Sequence, residues 1–195
     1  MPARKTPPRK PGKTGPATDF FSAEAKVAEP APAAAERKRY DELGVIGAQE
    51  LDDKGFYASI ARGAKKAAAR PPAETTVLVV EDDTGTAEVI TRVLRTAGYR
   101  TRSAANRAQI AEEFGRTPPP DLILLDVDLA PGLSGFDILN RLRQHALLAA
   151  VPVIMVTSMN AREHIVKGLT LGADGYLTKP ARPSTLVDAV RAVLE

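Results

Sequence analysis

From Thr75 onward the chain alternates short apolar runs with segments of helical period, five times over, and few architectures accept that pattern. Residues 77–80, 122–125 and 153–156 are continuous apolar runs. Such runs suit parallel strands buried on both faces, because a half-exposed strand alternates apolar with polar residues. Residues 99–103 are more polar and suit a sheet edge, and Tyr176 and Leu177 make a short fifth strand. Thr84 opens a helix in which Ile90, Val93, Leu94 and Ala97 follow the i, i+3, i+4, i+7 spacing, and Gly98 stops it. Asn106 can cap a second helix that ends near Gly115. Residues 136–146, 161–171 and 184–194 supply three more, the last with Leu186, Ala189, Val190 and Val193 on one face. Five strand–helix units with right-handed crossovers make an α/β doubly wound parallel sheet.

The preceding residues read differently. Residues 1–74 hold 14 Lys/Arg against 10 Asp/Glu, whereas residues 75–195 hold 13 against 14, so the net charge of +3 belongs to the first part. Residues 1–35 are rich in Pro, Ala and cations, cannot bury enough surface to offset their ordering entropy, and are expected to be a disordered tail with Phe20 and Phe21 as an apolar spot. That tail is the one part that could meet nucleic acid or an anionic membrane. Gly12-Lys13-Thr14 resembles the end of a phosphate-binding loop, but Pro7 stands where that loop needs glycine and no strand precedes it. Residues 36–74 predict one or two short helices, interrupted by Gly44, Gly47 and Gly55, and a linker. Residues 56–69 contain good helix formers, and Pro71-Pro72 closes the segment before a domain spanning 75–195. With no Cys there is no disulfide, thiol nucleophile or cysteine-held zinc. No apolar run reaches the length of a membrane span and no signal peptide is evident, so the expectation is a cytoplasmic protein.

In open parallel sheets ligands bind beyond the carboxyl ends of the strands. Glu81-Asp82-Asp83 follows the first run, Asp126 the third, Thr157-Ser158 the fourth and Lys179-Pro180 the fifth. With the second strand at the edge, these ends converge on one rim. Clustered carboxylates repel, and a hard divalent cation such as Mg²⁺ relieves the repulsion with one or two carboxylates and water. A carboxylate can also attack phosphorus. Asp82 and Asp83 then hold the metal with Asp126, Asp126 is the nucleophile, Thr157 and Lys179 bind phosphoryl oxygens, and Glu81 is a neighbour.

Residues 76–195 resemble the receiver domain of two-component response regulators. The likeness rests on Val79-Val80-Glu81-Asp82-Asp83, Leu125-Asp126, Pro131-Gly132 with Gly135, Val156-Thr157-Ser158, and the run from Gly172 to Pro180. It implies a flavodoxin-like (βα)5 fold with strand order 2-1-3-4-5. It also implies Mg²⁺ held by Asp82, Asp83, Asp126 and the backbone carbonyl of Asp128. A histidine kinase or phosphotransfer protein would be the phosphoryl donor and Asp126 the acceptor. Thr157 and Tyr176 are the implied switch pair, with Tyr176 moving inward on phosphorylation. Asp128 and Met159 take positions that tune phosphoryl lifetime, and the Lys179–Pro180 bond is expected to be cis. Ala130 stands as one extra residue before Pro131, and Ala181 where the family often has Phe.

The leading expectation is therefore a phosphorylation-controlled binding switch, not an enzyme beyond its own phosphorylation and dephosphorylation. The sequence stops at Glu195 just after the fifth helix, so output is expected from the surface of the fourth helix, fifth strand and fifth helix toward a downstream protein, or from the N-terminal part. Asp126-Val127-Asp128 also resembles the nucleophile motif of haloacid-dehalogenase-like phosphatases, but the acidic pair comes early and no later acidic motif follows Lys179. A phosphorylation-independent scaffold is the other alternative. His145 and His164 lack a ligand spacing and read as surface residues.

Overall fold

The computed structural model describes residues 20–21, 34–58, 70–158 and 162–195. The elements run α1 (Ala34–Lys54), β1 (Phe56–Ala58), β2 (Thr76–Val80), α2 (Thr84–Thr96), β3 (Arg100–Ala104), α3 (Arg107–Phe114), β4 (Leu122–Asp126), α4 (Gly135–Gln144), β5 (Val153–Thr157), α5 (Arg162–Thr170), β6 (Gly175–Thr178) and α6 (Pro183–Leu194). The sheet order is β1-β6-β5-β4-β2-β3. The strands of the five predicted units lie in the expected 2-1-3-4-5 arrangement, all parallel, and the fold is flavodoxin-like.

The apolar runs explain the layering. Successive side chains of a strand point to opposite faces. Leu122 and Leu124 of β4 join Val77, Val79, Ile154 and Val156 beneath α2 and α6, which contribute Leu94, Leu186 and Val190. Ile123 and Leu125 face the other way, with Leu78, Val80 and Met155, beneath Ile110 of α3, Leu139 of α4 and Ile165 of α5. Local signals set the ends. Asn106 caps α3 by accepting from Gln109 N at 3.1 Å. Gly98 and Gly172 leave α2 and α5 at φ of 93° and 90°. At the sheet's lower end the buried Arg143 donates to the carbonyls of Gly172 (2.9 Å) and Val151 (2.8 Å) and pairs with Asp174 at 2.9 Å. Asp174 in turn accepts from Val153 N, so one guanidinium fastens the starts of β5 and β6.

The sheet has six strands rather than the predicted five, and the sixth comes from a stretch read as helix-forming. Residues 56–58 pair antiparallel with β6, in the register Phe56–Leu177, Tyr57–Tyr176, Ala58–Gly175. Local propensity loses there to an available sheet edge. Gly44 and Gly47 do not break the preceding helix either: α1 runs through both for 21 residues. They are places of close approach. A Cβ at Gly44 would lie 2.4 Å from Val166 Cγ2, and one at Gly47 3.0 Å from the Tyr57 ring and 3.1 Å from Ile165. Gly55, at φ 79°, turns the chain from α1 into β1.

Phe20 is buried, edge-on to Phe114 with ring centroids 4.7 Å apart, and its carbonyl accepts from Arg141 Nη1 at 3.2 Å. The Arg107 guanidinium lies 4.8 Å above the Phe21 ring. The apolar spot of the tail therefore sits on α3 and α4 of its own chain. Residues 1–19, 22–33 and 59–69 lie outside the described residues, while the last two residues of the predicted tail, Ala34 and Ala35, begin α1. Among the described residues no helix is long and apolar enough to cross a membrane.

Candidate functional site

The parallel register carries four side chains to one rim. Val80 pairs with Leu125, Asp126 with Val156, and Thr157 with Thr178, so Glu81, Asp126, Thr157 and Lys179 leave the sheet side by side. Glu81, Asp126 and Thr157 are 2%, 3% and 1% exposed. Buried carboxylates need a positive partner. Lys179 supplies it: its Nζ lies 2.6 Å from Glu81 Oε2 and 2.8 Å from Asp126 Oδ2. Burial works against the Lys179 ammonium, yet its bonds to Asp126 and Glu81 outweigh that and hold its pKa above the ordinary lysine value. Burial also pushes the Glu81 carboxyl up, against the pull of Lys179. The Lys179 amide donates to the Thr157 carbonyl at 2.8 Å, which ties the ends of β5 and β6. The Lys179–Pro180 bond is cis.

The acidic set differs from the expected one by a single residue. Carboxylate oxygens of Glu81, Asp82 and Asp126 lie within 4.8 Å of one another. Asp83 is drawn elsewhere: its Oδ1 accepts from Thr86 N at 2.7 Å and caps α2. The Thr86 hydroxyl and backbone N–H together hold the Asp83 carboxyl below its usual range. The physical reason is register. With the runs 77–80 and 122–125 flush, the first residue past β2 sits beside the last residue of β4. That first residue is Glu81, and aligning the two runs in the sequence would have found it. The three carboxylates, all oxygen donors, fit a hard divalent cation.

The loop after Asp126 is closed rather than splayed. Asp128 N donates to Asp126 Oδ1 at 3.3 Å, Asp128 and Ser134 form a bridge, and Leu133 N donates to the Ala130 carbonyl at 3.0 Å, with Gly132 at φ 83°. The additional Ala130 is taken up in that turn. The Asp128 carboxylate accepts from Ser158 Oγ at 3.5 Å. Gly135 begins α4 so close above the site that a Cβ there would lie 2.0 Å from the Asp126 carbonyl oxygen.

Tyr176 is not at the rim. It lies mid-strand, fully buried beneath α5, with its hydroxyl donating to the carbonyls of Ile165 (3.1 Å) or His164 (3.2 Å). A Cβ at Gly168 would lie 1.6 Å from Tyr176 Oη, so glycine makes room for the ring. Tyr176 is thus turned inward beneath α5. Burial raises its hydroxyl pKa far above the ordinary tyrosine value. His164 is half-buried, stacked on Phe136 with centroids 6.1 Å apart and its Nδ1 buried. Met159 lies outside the described residues.

Comparisons with known proteins give the family. Over 119 residues the chain is 40% identical to the phosphate regulon transcriptional regulatory protein PhoB of Pseudomonas aeruginosa, covering 61% of this chain and 51% of that one. It is 40% identical over 120 residues to the sensory transduction protein RegX3 of Mycolicibacterium smegmatis, covering 62% and 50%. The chain thus spans about half the length of the curated relatives it matches. Among solved structures, chemotaxis protein CheY4 of Vibrio cholerae superposes with a TM-score of 0.57 at 30% identity, covering 62% of this chain and 98% of that one. A CheY-like receiver domain protein of Methanospirillum hungatei gives 0.55 at 29% identity, covering 62% and 93%. The response regulator receiver domain family matches residues 77–191, and with the rim of acids and lysine now in view, the chain belongs to that family.

Proposed function

We propose that the chain is a phosphoacceptor switch in which Asp126 takes a phosphoryl group from a phosphohistidine of a histidine kinase or phosphotransfer protein. The observation that carries this reading is the Lys179 ammonium held between Asp126 and Glu81 at the carboxyl end of the sheet. Receiver domains are in general not catalytic enzymes, and here the chain itself is the acceptor.

An Asp126 carboxylate oxygen attacks phosphorus; a P–O bond forms, the P–N bond to the donor imidazole breaks, and its electron pair stays on the nitrogen. Lys179 pairs with the Asp126 carboxylate and then follows the negative charge onto the phosphoryl oxygens. The Thr157 hydroxyl donates to one of those oxygens. Glu81, Asp82, Asp126 and the Asp128 carbonyl would hold Mg²⁺, which supplies positive charge against the transferred group. Asp83 serves the helix cap instead. The Asp128 side chain, one strand end from Thr157, adjusts how readily water removes the group. The rearrangement of Lys179 and Thr157 then biases the surface of α5, β6 and α6 toward a protein partner.

Incubation with acetyl phosphate, with and without Mg²⁺, followed by intact mass measurement tests this. One phosphoryl group should be gained only with Mg²⁺, and none by Asp126→Asn. Uptake by the variant, or Mg²⁺-independent uptake, would overturn the reading.

A further inference from the structure

The elements that precede the receiver fold are laid over its own output face. β1 completes the sheet beyond β6, whose Tyr176 and Leu177 are fully buried. α1 rests on α5 through Gly44 and Gly47, against Val166 and Ile165. Gly55 sits by Thr185 of α6, and a Cβ at Gly175 would lie 2.9 Å from the Tyr57 carbonyl oxygen. Residues 34–58 therefore contact α5, β6 and α6 together, and a partner strand cannot add to β6 while β1 is there.

The cover is joined to the rim by a short path. The Gly55 carbonyl accepts from Thr178 N at 3.0 Å and from Thr178 Oγ1 at 3.2 Å. The next residue is Lys179, whose ammonium bridges Asp126 and Glu81. A group added to Asp126 would draw on Lys179, and Thr178, its neighbour in the chain, is the residue that holds Gly55. The cover is also built to be loose. β1 has three residues, α1 carries two interior glycines that weaken a helix, and Val45 and Ile46 on α1 remain 49% and 50% exposed.

We propose that residues 34–58 are a displaceable mask over the α5–β6–α6 surface, and that phosphorylation of Asp126 loosens it. The class of ligand that fits the uncovered surface is a protein segment adding antiparallel to β6, as β1 does, with a small-residue helix face against Ile165 and Val166. This rests on the phosphoacceptor reading above.

The test uses the full chain. Amide hydrogen exchange is followed at Tyr57 and Thr178, before and after acetyl phosphate and Mg²⁺, with occupancy of Asp126 checked by intact mass. Exchange at both should quicken at least tenfold in the phosphorylated chain and stay unchanged in treated Asp126→Asn. Full occupancy with unchanged exchange would overturn the coupling. Absence of phosphoryl uptake would sink the phosphoacceptor reading and the coupling with it, and leave the mask to a second measurement. In that measurement a fluorescent peptide of residues 34–58 is titrated against the wild-type chain and against Gly47→Val, in which the added side chain meets Tyr57 and Ile165. The peptide should bind the variant at least tenfold more tightly than the wild type. Equal binding, or binding to neither chain with the receiver fold intact by circular dichroism, would overturn the mask. Gly44→Leu, which meets Val166, serves as an independent variant.

Discussion

The two edges of the receiver sheet solve the same problem in opposite ways. β3 presents Arg100, Thr101, Arg102 and Ser103, and its pattern is exposed or half-buried until Ala104. Its charges are placed with care: Arg102 Nε lies 3.3 Å from the buried Glu113, and Arg95 Nε donates to Thr101 Oγ1 at 2.7 Å. Charged residues on an edge discourage another strand from adding. β6 carries Gly-Tyr-Leu-Thr with no such protection and is covered by β1 and α1. An edge defended by its own side chains can stand open; an apolar edge needs a second strand. The strand next to Lys179 is the one that depends on cover.

Several substitutions break or sharpen that contrast. The largest effect is expected on the β6 flank from Gly168→Val, because even a Cβ would lie 1.6 Å from Tyr176 Oη. Overpacking of this kind should cost about 3 kcal/mol, read from urea denaturation. On the β3 flank Gly85→Ala meets only Asp83 Oδ1 at 3.4 Å and should shift stability by less than about 1 kcal/mol. Similar losses at the two glycines would remove the contrast.

Tyr57→Ala comes next. Deleting a side chain that is 5% exposed should cost about 2–3 kcal/mol, felt in the cover rather than in the whole fold. Tryptic cleavage at the exposed Lys54 should then quicken by about tenfold or more, with cleavage at Arg100 unchanged. Equal acceleration at both would mean that the cover and the receiver open as one unit.

The third effect appears only in alkali. The folded pKa of Tyr176 is raised above its unfolded value, so the stability it contributes is whole below about pH 10 and falls as pH rises further, by about 1.4 kcal/mol per pH unit. Lys179, also raised, acts in the same direction over a similar range. Stability measured from pH 9 to 11.5 should slope downward, and Tyr176→Phe should remove about one proton's worth of that slope. An unchanged slope would mean the hydroxyl is not held as described.

The smallest change in stability is expected from Arg100→Val on the open edge, within about 0.5 kcal/mol. Sedimentation velocity should nevertheless reveal greater self-association, because a charge guarding the edge is gone. If association does not change, the edge is protected by something other than its charges.

The parts of the fold that could be read from sequence were those with strong local causes. Continuous apolar runs gave β2, β4 and β5, and helical spacing closed by glycine gave α2 and α5. Asp126, Thr157 and Lys179 could be assigned to one rim because Asp126 and Thr157 directly follow apolar runs and Lys179 comes two residues after Leu177. What escaped depended on partners distant in the chain. Residues 56–58 have no strand pattern of their own and become a strand because β6 offers an edge. Gly44 and Gly47 look like breaks until α5 is packed against them. Glu81 lies with Asp82 and Asp126 while Asp83 caps α2, an arrangement that a run of three acids does not reveal and the register with β4 decides. Arg143, which gathers carbonyls from two separate turns, carries no local signal at all.

That β1 and β6 belong to one chain has a consequence for titrations in solution. A segment covalently tied to its site faces it at an effective concentration on the order of millimolar. Any partner strand that binds β6 in trans must outcompete it. A partner with intrinsic affinity on the order of 1 μM would register as roughly millimolar were the cover's own bimolecular affinity also on the order of 1 μM, and as proportionately tighter for a weaker cover. Weak binding to the resting chain would measure the tether as much as the partner.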